Sequence, residues 1–251
     1  MSWSSRKKIF YFLIVVALAL VFIALPSFFV FYKAPTCFDG KQDQGEQGID
    51  CGGPCTTLCQ ASFSDPRELW ATSSEVVSGV YNALAYVVNP NINAEAQNIA
   101  YDFRLYDSNG LLIVRRDGET SIPPVENFGI FEPSITTGNR TLARTFFEFE
   151  SAPVWQKVAT TTQSLVALSS NFQTSASSSR LDMIASNPSP DTEQNIEVIA
   201  ILYGTDGNVA AFSKTVIPVI AAGDTAEVSF TWPYGISATI AKKEFLFKEI
   251  P

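Results

Sequence analysis

Residues 83–114 read ALAYVVNPNINAEAQNIAYDFRLYDSNGLLIV, and residues 180–212 read RLDMIASNPSPDTEQNIEVIAILYGTDGNVAAF. The two stretches are one pattern written twice. Asn89-Pro90 matches Asn187-Pro188, Asn98-Ile99 matches Asn195-Ile196, Leu105-Tyr106 matches Leu202-Tyr203, and Asn109-Gly110 matches Asp206-Gly207. Each copy holds a run rich in β-branched and aromatic residues, then an Asn-Gly or Asp-Gly turn, then a second such run, which is the signal of a β-hairpin. Each proline confines the asparagine before it to extended backbone and ends the strand there. Further along, Ile122-Pro123 aligns with Ile217-Pro218 and Gly138 with Gly223, the latter leading into Val228, Phe230 and Trp232 at alternate positions. Short strands with turn signals every 8–12 residues predict one β-sandwich per copy. Phe103, Phe147, Phe149, Phe212, Phe230 and Trp232 are the expected core aromatics.

At the amino-terminal end, Ile9–Tyr32 is a run of 24 residues that is apolar or aromatic except at Pro26 and Ser27. As a helix it is roughly 36 Å long, more than the ~30 Å hydrocarbon core of a bilayer. Arg6, Lys7 and Lys8 precede it, and the first carboxylate is Asp39. The positive-inside rule then keeps the amino terminus in the cytoplasm and puts the remainder outside. A cleaved signal peptide is the rival reading, against which the run is long and lacks a small-residue cleavage pair.

All four cysteines, Cys37, Cys51, Cys55 and Cys59, fall in one stretch after this segment. An even, clustered set in an exported chain predicts two disulfides, with three connectivities open. A tetrathiolate zinc site is the other structural option. Asp39, Asp43, Glu46 and Asp50 lie among five glycines in the same stretch. They are candidate calcium ligands on a tightly turning chain, or turn formers in a crosslinked loop.

The 251-residue chain carries a formal net charge of −8, is 46% apolar and has no histidine. Its acidity argues against nucleic acid, which needs clustered Lys and Arg. The absence of histidine removes Ser–His–Asp and Cys–His machinery and every His-ligated metal site. No phosphate-binding loop, dinucleotide fingerprint or nucleophile elbow occurs. A carboxylate pair set by space rather than spacing stays open, and Asp117, Glu126 and Glu132 read as a solvated loop in a first-copy insertion.

The stretch from Cys37 through Asp39-Gly40, Asp43, Glu46, Gly48 and Asp50 to Cys51-Gly52-Gly53 and Cys55 resembles a cysteine motif of bacterial cell-surface and secreted proteins. It implies an extracytoplasmic place and no particular activity. The repeat, with Phe103, Leu105, Tyr106 and Asp107 as F-x-L-Y-D in the first copy, resembles the FxLYD-like and related immunoglobulin-like domains of bacterial envelope proteins. The second copy departs, with Ile201 and Gly204 at the Phe and Asp positions. This resemblance implies outward-facing structural or binding modules.

The expected organisation is mainly β: a cytoplasmic stub and single transmembrane helix over 1–33, a cysteine-rich module over 34–61, and immunoglobulin-like sandwiches over 62–153 and 154–251. Residues 159–180 are expected to hold the first strand of the second sandwich. The expected function is scaffolding, adhesion or envelope assembly through an unidentified surface-protein partner, without catalysis. The alternative is an ectodomain that binds calcium or a small ligand. No other cofactor is expected.

Overall fold

The computed structural model describes residues 3–24, 27, 36–43, 45–91, 93–158 and 165–250. The chain forms two compact units, Met1–Cys55 and Thr56–Pro251. In the first, helix α1 (Trp3–Ala19) runs into a π-helical turn, Leu20–Ala24. The expected span is helical as far as Ala24, and of its remainder only Ser27 is among the described residues. From Ile9 to Ala24 the apolar helix measures about 24 Å, less than a hydrocarbon core. No helix among the described residues is long and apolar enough to cross a membrane.

Thirteen strands follow among the described residues: β1 (Arg67–Val77), β2 (Val80–Val88), β3 (Ala94–Tyr106), β4 (Leu112–Ile122), β5 (Asn127–Thr136), β6 (Arg144–Phe149), β7 (Gln156–Lys157), β8 (Val166–Thr174), β9 (Ser179–Ser186), β10 (Glu193–Gly204), β11 (Val209–Ile220), β12 (Thr225–Trp232) and β13 (Ile240–Glu249). The protein is mainly β. Residues 159–164 of the expected linker lie outside the described residues, and the strand expected after them is β8.

The strands build four sheets with antiparallel pairing: β1-β2-β5 and β4-β3-β6 in the first copy, β8-β9-β12 and β11-β10-β13 in the second. The topology is therefore the same twice. Ala83, Ala85, Val87, Ile99, Phe103, Leu105, Phe128 and Phe147 fill the first core, closed at one end by Trp155. Leu181, Met183, Val198, Ala200, Leu202, Phe230, Trp232 and Phe247 fill the second. Of the expected core aromatics, Phe149 is only partly buried, and Phe212 belongs to neither core.

Phe212 belongs to a third core. Leu84 and Tyr86 of β2 and Phe131 of β5 pack against Ile199 and Ile201 of β10, Phe212 of β11 and Leu246 of β13. The outer face of β1-β2-β5 is thus pressed onto the outer face of β11-β10-β13, giving a stack of four sheets. Gly129 makes room for this contact, because a Cβ there would lie 2.6 Å from Cδ1 of Ile199. The two-sided burial explains why residues 83–88 of β2 and 198–203 of β10 are unbroken apolar runs rather than alternating ones. Alternate residues serve different cores, Ala83 and Ala85 one and Leu84 and Tyr86 the other.

The structure also corrects the alignment of the repeat beyond its hairpin. Ile122 faces Ala96, and the residue in the matching place, facing Glu193, is Ile220, not Ile217. By topology β12 corresponds to β5, so Gly223 opens the fifth strand of its copy while Gly138 follows the fifth strand of the other. The counterpart of β6 is β13, over residues the repeat pattern had not claimed.

Candidate functional site

Cys37 is bonded to Cys55, Cys51 and Cys59 are also in disulfide linkage, and no cysteine is free. The thiolates a zinc site needs are consumed. The four carboxylates are spent largely on backbone. Asp50 Oδ1 accepts the amides of Asp39 and Gly40, and its Oδ2 accepts Gly40 at 2.9 Å. Asp39 Oδ1 accepts the amide of Lys41, and Glu46 Oε2 accepts those of Asp43 and Asp50. Asp43 Oδ1 is buried without a partner. No three of these four converge as metal ligands would; Glu46 instead lies beside the Cys37–Cys55 pair.

The F-x-L-Y-D residues have local roles. Asp107 accepts the amides of Asn109 and Leu111 and the guanidinium of Arg140, tying the β3–β4 hairpin to the loop after β5. The Arg140 hydrogen bond, with those amides, holds the Asp107 carboxyl below the usual carboxylate range. Phe103 and Leu105 are core, and Tyr106 stands on the outer face of its sheet against Phe146, ring centroids 5.4 Å apart.

Asp117 and Glu132 are not in a solvated loop as expected. Asp117 is on β4 and Glu132, 8% exposed, on β5. Asp117 joins buried Asp102 and Glu150 in gripping the Arg115 guanidinium, which is why these three carboxylates converge. Arg104 adds bonds to Asp102 and Glu148. The cluster already holds its cations.

Among its described residues the second unit carries clefts. One, of about 590 Å³, lies on the outer face of β3 and β6 between Asp102, Arg104, Tyr106 and Phe146. A second, also about 590 Å³, lies between the sandwiches. There Glu132 accepts the Tyr101 hydroxyl at 2.9 Å and the Arg116 guanidinium at 2.6 Å. Glu197 accepts Lys214 at 2.9 Å, and Lys248 donates across the junction to Thr120 Oγ1 at 2.5 Å. Burial pushes the Lys248 ammonium down to about 8, with Glu197 opposing and Lys214 adding to the shift. Desolvation and the Glu132 charge push the Tyr101 hydroxyl up.

The third cleft, about 550 Å³, opens at the other rim of the junction. Trp70 and Tyr86 stack there at 5.1 Å, and across from them Lys242 holds its ammonium 5.0 Å from the centroid of Tyr203. Glu244 lies between, accepting Tyr86 at 2.8 Å and Lys242 at 3.0 Å. Although burial opposes it, bonds from Lys242, Tyr86 and Tyr203 hold the Glu244 carboxyl below its ordinary range.

No family profile and no curated protein matches the chain. Among solved structures it is similar to a β-glucuronidase of glycoside hydrolase family 2 at 10% identity and TM-score 0.25, over 65% of this chain and 21% of that one. It is similar to red sea bream transglutaminase at 11% identity and TM-score 0.25, over 74% and 29%. The tandem CBM22-1–CBM22-2 domains of Paenibacillus barcinonensis Xyn10C match at 8% identity and TM-score 0.15, over 87% and 92%. The chain spans less than a third of the two enzymes. Likenesses at these scores carry no argument about function.

The clefts, rather than the cysteine stretch, bring charged and aromatic groups together. Sequence reasoning missed Trp70, Tyr86, Tyr203 and Glu244 because they come from four strands of two sandwiches. The signal that was present was Leu84 and Tyr86 in a strand whose other face was already apolar.

Proposed function

We propose that this is a membrane-anchored extracytoplasmic protein that binds another surface or envelope protein through its stacked sandwiches, without catalysis. The observation that carries the reading is the stack itself: apolar burial joins the two sandwiches, and bonded charges occupy the outer faces. Such a body presents broad outer faces to solvent, and a non-obligate protein interface is about as polar as the rest of a protein's surface. Two disulfides in a module with little core support an oxidising compartment. The apolar run Ile9–Tyr32 behind three basic residues supports the anchor and its orientation. The immunoglobulin-like assignment rests on the F-x-L-Y-D resemblance and on two facing antiparallel sheets per copy, three-stranded except where β7 adds to β3.

Crosslinking in intact cells at native abundance tests it. The expected result is one discrete partner joined to the chain, with the carboxy-terminal half removed by protease added outside. Recovery of the chain uncrosslinked, or a protected carboxy-terminal half, overturns the reading.

A further inference from the structure

We propose that the cleft lined by Trp70, Tyr86, Tyr203 and Glu244 is a binding site for an organic ammonium group. Tyr106 faces Arg144 across β3 and β6, and Tyr203 faces Lys242 across β10 and β13, at equivalent places. Both copies thus set a basic residue across from a tyrosine. The second copy adds a wall, because β1 and β2 of the first sandwich bring the stacked Trp70 and Tyr86 to the same rim. It also has Glu244 where the first copy has Phe146.

Aromatic rings around a carboxylate form an environment that favours a cation over water, since ring faces are electronegative and the carboxylate supplies the countercharge. The chain demonstrates the preference on itself. Lys242 places its own ammonium over Tyr203 and on Glu244. That side chain is 64% exposed, so the internal cation is held on the solvent side and is displaceable. The cleft, at about 550 Å³, has room for an alkylated ammonium beside Trp70 and Tyr86. An alkylated cation gains more there than a primary one, because its methyl groups contact the rings while its charge remains on Glu244. Lys242 then acts as a tethered competitor for the site.

The test uses tetramethylammonium chloride on the full chain in detergent, followed by the indole N–H resonance of Trp70, with sodium chloride at equal ionic strength as control. The expected result is a saturable shift with tetramethylammonium alone. Lys242→Met, which removes the competitor and leaves the rings, is expected to tighten binding by about fivefold. Glu244→Gln, which keeps an acceptor for Tyr86, is expected to abolish it. Equal, non-saturating shifts in both salts, or a Lys242→Met chain that binds no more tightly than the parent, overturns the proposal. These outcomes do not depend on the crosslinking result, so the ligand site and the partner-binding reading fail separately.

Discussion

Two asparagines show how a single side chain anchors each copy. Asn89 and Asn187 are fully buried. The Asn89 amide donates to the carbonyls of Asn91, Ala94 and Pro123, and its oxygen accepts the amide of Asn91. Asn187 donates to Asp191, Ile220 and Ala221 and accepts from Ser189. Each side chain therefore replaces the ladder that the following proline interrupts, and pins the loop after its own strand to the end of the fourth strand of its copy. A leucine of similar size has no donor, and alanine leaves several buried carbonyls without partners. Asn89→Ala and Asn187→Ala are each expected to cost about 2–4 kcal/mol, read as a lower midpoint in urea at unchanged slope. A loss below about 0.5 kcal/mol in either contradicts this role. This anchor was legible in the sequence, because Asn-Pro twice at matching distance from a turn is a local signal. Asn98 and Asn195 repeat for a related reason: both adopt left-handed backbone, φ 55° and 51°, which asparagine tolerates better than most residues.

At the scale of elements, legibility ended where local pattern stopped deciding. The shared Ile-Pro suggested that Pro123 and Pro218 are equivalent, yet Pro123 matches Ala221, whose carbonyl the second buried asparagine binds. A two-residue identity weighed as much as the hairpin in the sequence, while in the fold only the register has meaning. Strand β13 escaped notice because its outward positions, Lys242, Glu244 and Lys248 among them, mix charge with apolar residues. The charges on β13 are there because it lines the rims of the junction. Lys248 makes this measurable. Burial holds its ammonium at about 8 in the fold against an ordinary value of 10.5, so between those pH values the unfolded chain binds more protons and stability rises with pH. Below about 8 the lysine is charged in both states and its burial cost is fully present. Lys248 is only partly buried and keeps a bond to Thr120, so part of the cost is relieved. Lys248→Met is expected to stabilise the protein by about 1–2 kcal/mol at pH 7. The gain should shrink from pH 8 and be gone by about pH 11; a constant gain across that range rules out the buried charge as its source.

At the scale of the whole molecule, the junction raises the question of why stacking stops at two. The copies join through unlike faces, β1-β2-β5 of one on β11-β10-β13 of the other, a head-to-tail arrangement that leaves one face of each kind free. Such contacts propagate into filaments unless the free faces are disabled. Register shows that they are. Where β10, β11 and β13 carry Ile199, Ile201, Phe212 and Leu246, the first copy has Asp102, Arg104, Arg115 and Glu148, bonded to one another. Where β2 and β5 carry Leu84, Tyr86 and Phe131, the second copy has Asp182, Ile184 and Ser229, with Arg180 bonded to Asp182 and Ser229. The same topology thus carries an apolar set at the inner joint and a mostly charged or polar set at the seven matching outer positions, which stops the stack as capping repeats do in longer arrays. Restoring the apolar set on both ends, with Asp102→Ile, Arg104→Ile, Arg115→Phe and Glu148→Leu on one and Asp182→Leu, Ile184→Tyr and Ser229→Phe on the other, recreates the inner contact between molecules. The expected outcome in analytical ultracentrifugation, with the chain in detergent, is an open series of oligomers that lengthens with concentration. Either end changed alone has no complementary free face and should give no such series. If each half-set polymerises as readily as the full set, exposed greasiness is the cause, and the charged faces are not caps on a specific joint.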